Sequence, residues 1–594
     1  MNFIERVFSK TNHQPTTINT NWRTSFGITT THLEYPDCGF YEVLKGTVDK
    51  YPELIAMNYF GKKITYAKFY DKIEDVAKGL KVIGVGPGDR VTICMPNTPE
   101  AICMVYAVNM VGATASMIHP LSSVNEMEFY LDVAASKYVL CLDLLLERML
   151  SAVKNVAVNK IIVASVSEGM PIVTKTAYET LQYIKNRQKD KKTYDPQLVL
   201  PWEELIGYGM TYRKEYQVSL KGADEAIIIY SGGTTGRPKG VRLSNLNFNA
   251  EALQACARVE SARPGKKALL ILPIFHGFGL GVNVHAIFAT GATLIPVPKF
   301  EPSEFARLIK KYQPSFLIGV PTMFEALASS EETSLYYLKS VTDVICGGDT
   351  LKAELRNKAN NYLSAHGSDA QLRVGYGLSE SVAACILTPS YYYKEGAIGL
   401  PFPDMEVRIF KPGSTKECKV NRGGEICISG PTVMMGYLNE PAETATALKT
   451  HADGKVWLHT GDLGYKNRDG IVFFENRLKR MIITSGYNVY PQYLETIIAS
   501  HPAVYTVVVV GIPHPYKKQV PIANIVLKEN YEPSDELTKD IKKYCEKSVA
   551  KYAMPYAYEY LKAVPKTLIG KVNFRKLEEE CAKKYGKKHE KTAK

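Results

Sequence analysis

The sequence predicts an α/β protein: a large N-terminal domain of layered, largely parallel sheets and helices, followed by a small α+β C-terminal domain. Three observations carry this prediction. Short β-branched runs alternate with helical periods through most of the chain, the rhythm of successive strand–helix units. The 594 residues are 45% hydrophobic and 22% charged, which leaves apolar surface for several packed cores and excludes a disordered or collagen-like chain. The texture then restarts after the basic stretch Asn476–Arg480, with about 115 residues remaining, enough for a second core.

The elements follow in order. Thr65 is placed to cap a helix on which Tyr66, Phe69, Ile73, Val76 and Leu80 recur at helical spacing before Gly84. A Gly/Pro turn then leads into the strand Arg90–Met95 and a helix opening at Thr98 or Pro99. Val139–Leu142 and Lys160–Ala164 read as short buried strands. Lys185–Thr193 reads as an exposed basic loop. Two uncharged stretches, Ala101–Ile118 and Ala268–Pro298, are long enough to span a bilayer. Their small residues, Asn109, Asn283, Pro273 and two histidines assign them instead to a buried core. In the second unit Thr506–Val510 and Ile522–Leu527 are strands. Ser534 caps a helix whose apolar face is Leu537, Ile541, Tyr544 and Val549. The end from Lys583 holds six lysines and reads as a solvated tail, giving a basic segment over residues 581–594.

Lys and Arg (73) exceed Asp and Glu (60), for a net charge of +13, which suits anionic partners such as nucleotides and coenzyme phosphates. Nothing resembles a nucleic-acid module; the lysine-rich end leaves peripheral membrane contact open. The 11 cysteines include no C-x-x-C pair, which argues against a zinc site or a disulfide framework. The first residues lack the apolar run of a signal peptide, so a cytoplasmic protein is expected.

The strand Ala226–Tyr230 runs into Ser231-Gly-Gly-Thr-Thr-Gly-Arg-Pro-Lys-Gly240. Four glycines free the backbone to turn its N–H groups inward onto phosphate, Thr234 and Thr235 add hydroxyls, and Lys239 adds a charge. The spacing is not that of a Walker A loop.

This string resembles that of the adenylate-forming superfamily of acyl-CoA synthetases, luciferases and peptide-synthetase adenylation domains. Gly232 replaces the usual serine, as in long-chain fatty acyl-CoA ligases. The family's other motifs follow in order. Leu272-Pro-Ile-Phe-His-Gly-Phe-Gly279 is similar to the motif lining the carboxylate pocket, and Gly347-Gly-Asp-Thr350 to the adenine-wrapping segment. Tyr376-Gly-Leu-Ser-Glu380 carries Ser379 for the usual threonine. Gly424-Glu425 with Gly436-Tyr437 resembles a framework motif, and Thr460-Gly-Asp462 the ribose-binding one. Arg477-Leu-Lys479 with Gly486 resembles a hinge, with Asn476 standing where Gly or Asp is usual. Lys571 lies in the terminal lysine motif Pro565–Lys571.

The resemblance implies ATP, Mg²⁺ and coenzyme A. It also implies four segments: residues 1–476 as the AMP-binding domain, 477–480 as hinge, 481–580 as a mobile domain carrying the catalytic lysine, and 581–594 as tail. Each residue then takes an expected role. Ser231, Thr234, Thr235, Gly236 and Lys239 hold phosphates; Gly348, Asp349, Thr350, Tyr376 and Gly377 surround the adenine; Ser379 reaches the α-phosphate. Asp462 and Arg477 hold the ribose. Glu380, with Thr234, ligates magnesium. Lys571 bridges the reacting carboxylate and α-phosphate, His276 orients the acid or gates the thiol, Lys479 is the pivot, and Gly486 leaves room for pantetheine.

His276 in its P-x-F-H context argues against an amino-acid substrate. Too little sequence follows Lys571 for a fused carrier domain, which favours free CoA as acceptor. The glycine pair and the apolar Gly277–Gly291 and Val320–Leu327 segments tilt the acid toward a medium- or long-chain fatty acid. Loading of a separate acyl carrier protein, an aryl-acid ligase and a non-catalytic nucleotide sensor are the alternatives. Oligomeric state is not legible.

Overall fold

A computed structural model describes residues 30–186, 194–231, 238–259, 261–390, 392–480, 482–484, 487–489, 491–515, 517–546, 549, 553–567 and 572–592. Among these, the strands form sheets of fourteen, eight and five members. The eight-stranded sheet has a parallel heart: Arg90–Cys94 lies between Thr114–Met117 and Tyr138–Leu142, and Thr114–Met117 borders Glu225–Ser231. Thr65 accepts a hydrogen bond from the Lys68 N–H, capping the helix Tyr66–Val82. Thr98 caps the helix Pro99–Met110 in the same way.

The helix Pro99–Met110 is buried on every side, which is why its sequence shows an uncharged run rather than an amphipathic stripe. No helix among the described residues is long and apolar enough to cross a membrane. Glu100 pays for this placement. It is 4% exposed, its Oε2 has no hydrogen-bond partner, and burial pushes its carboxyl up to about 7. The native state therefore holds this proton more tightly than the unfolded chain. Its contribution to stability is full below about pH 4.5 and is lost as pH rises to about 7. Glu100→Gln is expected to be more stable than the parent at pH 8 by about 3 kcal/mol and to flatten that slope, as read by urea unfolding at pH 5 and pH 8.

The expectation of largely parallel sheets holds for only part of the fourteen-stranded sheet. Lys267–Leu270, Thr293–Pro296, Phe316–Gly319, Asp343–Cys346 and Leu372–Tyr376 are parallel. From Ile386–Leu387 onward every pairing is antiparallel. Val456–Lys466 and Val472–Arg477 are joined by a tight turn, which makes that pair antiparallel because a parallel crossover needs about a dozen residues.

In the C-terminal part Val504–His514 pairs antiparallel with Lys518–Leu527, whose other edge takes Ala557–Tyr560 in parallel. Alternate residues face opposite sides. Val507 and Val509 pack with Leu494, Ile498 and Ile541, whereas Val508 and Val510 pack with Leu577 and Cys581. Ser534 caps Asp535–Glu546 by accepting from the Leu537 N–H at 3.0 Å.

Two surface readings need correction. Residues 581–592 are helical, the second half of Phe574–Thr592, and the segment is packed rather than solvated at Cys581 and Tyr585. Leu577, Cys581 and Tyr585 lie one turn apart on one face and pack against the sheet, and Lys584 pairs with Glu559 at 2.6 Å. The lysine count hid this apolar face. Similarly, Lys185 and Asn186 end the helix Ile172–Asn186 rather than sit in a loop; residues 187–193 lie outside the described residues.

Candidate active site

The site lies where the parallel strands of both sheets end, the usual ligand position in open α/β sheets. Glu225–Ser231 and Lys239–Ser244 form an antiparallel hairpin pair with Ser231 opposite Lys239, the two strands that flank the glycine-rich sequence. Thr234, Thr235 and Gly236 lie outside the described residues, as do Gly486 and Lys571. Lys239 is held at the hairpin base. Its ammonium pairs with Glu443 and stands 5.1 Å from the centre of the Tyr437 ring.

Leu372–Tyr376 delivers the second group. A Cβ on Gly377 would lie 1.4 Å from the Ala383 carbonyl oxygen, so the chain passes there only without a side chain. The next turn, Ser379–Ser381, presents Glu380. It ends in strain: Val382 has φ 63° and ψ −66°, and the Ala383 N–H donates to the Ser381 carbonyl at 2.8 Å. This is the rare positive-φ γ-turn, at a buried β-branched residue. The Val382 carbonyl fills the space where Gly277 would carry a Cβ, at 1.7 Å. The turn that follows Glu380 is thereby packed against the residue that follows His276.

His276 is half-buried. Its Nδ1 accepts from the Phe278 N–H at 3.2 Å, at the start of the π-helical segment Phe278–His285. Buried Asn97 fixes the approach to it by donating to the Leu270 and Leu272 carbonyls and accepting from the Ile274 N–H. Sequence reasoning missed Asn97. No local pattern marks a side chain that works 173 residues away.

Asp462 closes the adenosine side. It is 2% exposed, accepts from the Tyr376 hydroxyl at 2.7 Å and pairs with Arg477 Nε at 3.0 Å. Burial raises its carboxyl above the ordinary value while Arg477 pulls it down. In return, Asp462 raises the Arg477 guanidinium, with smaller contributions from Tyr376, Glu380 and Asp349. Gly348, Asp349 and Thr350 form an exposed loop with Gly348 at φ 81°, and the Asp349 carboxylate accepts from the Thr350 N–H. Lys479 sits in the short turn Leu478–Arg480 directly after Arg477.

Several supporting residues were read only as framework or not at all. Glu425 accepts from the Gly461 N–H at 3.0 Å and from His459 Nδ1 at 2.9 Å, holding the Thr460–Asp462 bend. Cys427 and His451 complete this cluster, in which both His459 nitrogens are engaged. The helix Asn245–Arg258 acts as a spine. Asn247 donates to the Pro431 and Val433 carbonyls, and Glu251 accepts from the Ala384 N–H. Burial raises the Glu251 carboxyl well above the usual range.

Tyr437 is the most consequential addition. Gly436–Tyr437 pairs with the Lys239–Ser244 strand, and the Tyr437 hydroxyl donates to Glu380 Oε1 at 2.8 Å. One side chain thus touches the carboxylate and faces the ammonium. Tyr437→Phe is expected to lower adenylation about tenfold, the scale of one hydrogen bond to a charged group, and to raise the Mg²⁺ concentration giving half-maximal rate. Pyrophosphate exchange across a magnesium titration measures both.

Comparison with known proteins gives this geometry its family. Residues 44–438 match the AMP-binding enzyme model, and residues 493–571 the AMP-binding enzyme C-terminal domain. The chain is 30% identical to a long-chain-fatty-acid–CoA ligase of Bacillus subtilis (strain 168), over 92% of this chain and 95% of that protein. It is 28% identical to 4-coumarate–CoA ligase 4 of Arabidopsis thaliana, over 88% of each. The fold superposes on ATP-bound MatB from Rhodopseudomonas palustris with a TM-score of 0.78 at 23% identity, covering 92% of this chain and 99% of that one. Matched across both its large and its small domain, the chain belongs to the AMP-binding enzyme family, as an adenylate-forming acid–thiol ligase.

Proposed function

We propose that the protein activates a medium- or long-chain fatty acid with ATP, through an acyl-adenylate, and passes the acyl group to coenzyme A with release of AMP and pyrophosphate. The observation that carries this reading is the buried Asp462 carboxylate held by Tyr376 and Arg477, together with Tyr437, which joins Glu380 to the hairpin that presents Lys239. A nucleoside monophosphate unit needs this set: an aromatic face, a buried acceptor for two ribose hydroxyls, and cations for phosphate.

In this reading Asp462 takes the ribose hydroxyls and Arg477 steadies it from the hinge. Tyr376 lies along the adenine. Lys239 exchanges Glu443 for phosphate oxygens, assisted by Ser231, Thr234, Thr235 and Gly236. Glu380 is suited to a magnesium ion: Tyr437 occupies its Oε1, and no hydrogen bond among the described residues uses its Oε2. The bound cation would offset charge on the leaving pyrophosphate. Lys571 neutralises charge at the reacting carboxylate and α-phosphate, and must withdraw about Lys479 before the thiol enters past Gly486.

The acid is read from the segment after His276, whose Gly279, Leu280, Gly281 and Val282 are small or apolar, and from the fatty-acid ligase relative. The 4-coumarate–CoA ligase relative keeps an aryl acid as the second reading. Pyrophosphate release measured across acetate, octanoate, palmitate and coumarate, with and without CoA, tests the assignment. Turnover on octanoate or palmitate that needs CoA is expected. A coumarate preference would replace the fatty acid, and an adenylate that CoA fails to discharge would replace the acceptor by a carrier protein.

A further inference from the structure

Beside the Thr460–Asp462 bend, three side chains of different donor chemistry converge. Glu425 and Cys427 stand two residues apart on one face of the strand Gly424–Ser429, and His459 lies directly opposite Cys427 on Val456–Lys466. A carboxylate oxygen, the thiol sulfur and a ring nitrogen all lie within 4.8 Å of one another. Glu425 is 6% exposed and Cys427 0%, so the group is sealed from bulk water. His459 Nδ1 stands 2.9 Å from Glu425 Oε2 and 3.5 Å from Cys427 Sγ. One N–H serves one acceptor well, so hydrogen bonding accounts for the carboxylate but not for the sulfur beside it.

We infer that Glu425, Cys427 and His459 form a binding site for a thiophilic divalent cation of the zinc class. The spacing fits. A tetrahedral zinc with bonds of about 2.0 Å to nitrogen and 2.3 Å to sulfur holds those two ligands about 3.5 Å apart, and the carboxylate has to open by only about 0.4 Å. The charge fits as well: a carboxylate, a thiolate and a neutral imidazole balance one dication, which a buried site requires. The outer contacts that steady metal ligands are already in place. Glu425 Oε1 accepts from the Gly461 N–H at 3.0 Å, and His459 Nε2 meets His451 Nε2 at 3.0 Å. Burial pushes the Cys427 thiol up, with Glu425 adding to the shift, so the cation displaces the sulfur proton into solvent as it binds. His459 then carries its own proton on Nε2 and donates it to His451. Three protein ligands leave a fourth position to water, the arrangement of an open site rather than a closed structural one. The cation ties together the two strands that hold the Thr460–Asp462 bend. A search for Cys and His spaced along the chain misses this set, because Cys427 and His459 meet across paired strands. The inference does not depend on which acid is activated.

The test uses the full-length protein, stripped with a chelator and kept reduced without added thiol, titrated with Co²⁺ and then with Zn²⁺. One Co²⁺ per chain is expected, with a thiolate-to-cobalt charge-transfer band in the near ultraviolet that Zn²⁺ abolishes by displacement. Zn²⁺ should also raise the melting temperature of the parent. Cys427→Ser and His459→Gln should each lose the band and the thermal shift, whereas Cys418→Ser, which alters a different cysteine, should keep both. His451→Phe leaves the three ligands and should weaken Co²⁺ binding about tenfold. Absence of the band in the parent, a measurement that needs no variant to fold, would overturn the inference. So would a band that survives in Cys427→Ser or disappears in Cys418→Ser, since another thiol would then hold the metal.

Discussion

Asp462→Ala is expected to lower ATP–pyrophosphate exchange by at least about 100-fold at subsaturating ATP, the scale on which loss of one preorganised polar group acts. The argument starts from burial. At 2% exposure the carboxylate is held by the Tyr376 hydroxyl and by Arg477, and Gly461, Thr460 and Glu425 fix its backbone. Alanine removes the acceptor offered to the ribose, frees the arginine and leaves the buried phenol without its partner. Tyr376→Phe separates these effects, since it keeps the carboxylate and its arginine. It should cost about tenfold, chiefly in the KM for ATP. If Asp462→Ala keeps parental exchange at low ATP, the ribose role fails and the group is only a structural acceptor.

Gly377→Ala should abolish adenylation and strongly destabilise the large domain. A methyl group there meets the Ala383 carbonyl at 1.4 Å, a backbone atom with no rotamer to yield. Relief would have to come from the Ser379–Ala383 turn, already strained at Val382 and wedged against Gly277. A loss of more than about 4 kcal/mol, or failure to accumulate as soluble protein, is expected. Gly46→Ala supplies the contrast. It lies in the helix Phe40–Lys50 with nothing within 4 Å of its added Cβ, so the same substitution should stabilise by about 0.5–1 kcal/mol. Thermal melts of the two variants beside the parent decide the matter. A Gly377→Ala protein with the parental melting temperature and exchange rate would show that the turn is free to shift.

The first result turns on contacts between distant parts of the chain and the second on a clash six residues away, and the sequence announced such contacts unevenly. Local signals were legible where the chemistry is local. Thr65 and Thr98 cap their helices because a hydroxyl beside the first free N–H groups is decided within four residues. The strand Glu225–Ser231 leads into its glycine turn for the same short-range reason, and the order of the motifs named the family. The sequence therefore determined which groups are available and in which elements they sit.

Tertiary structure alone decided how they meet. Tyr437 reaches Glu380 across 57 residues, and Asn97 braces the approach to His276 from a different sheet. Those side chains look ordinary in their own neighbourhoods; only packing supplies their partners. The second half of the large sheet is antiparallel, whereas the alternation of strand and helix patterns suggested continued parallel layering. The helix Ile172–Asn186 states the limit most sharply. Its Val173, Leu181 and Ile184 are 82%, 58% and 60% exposed, while Lys175 pairs with Glu168 at 3.1 Å. A helix carries its pattern in its own residues, but its orientation is set by what the rest of the fold places beside it.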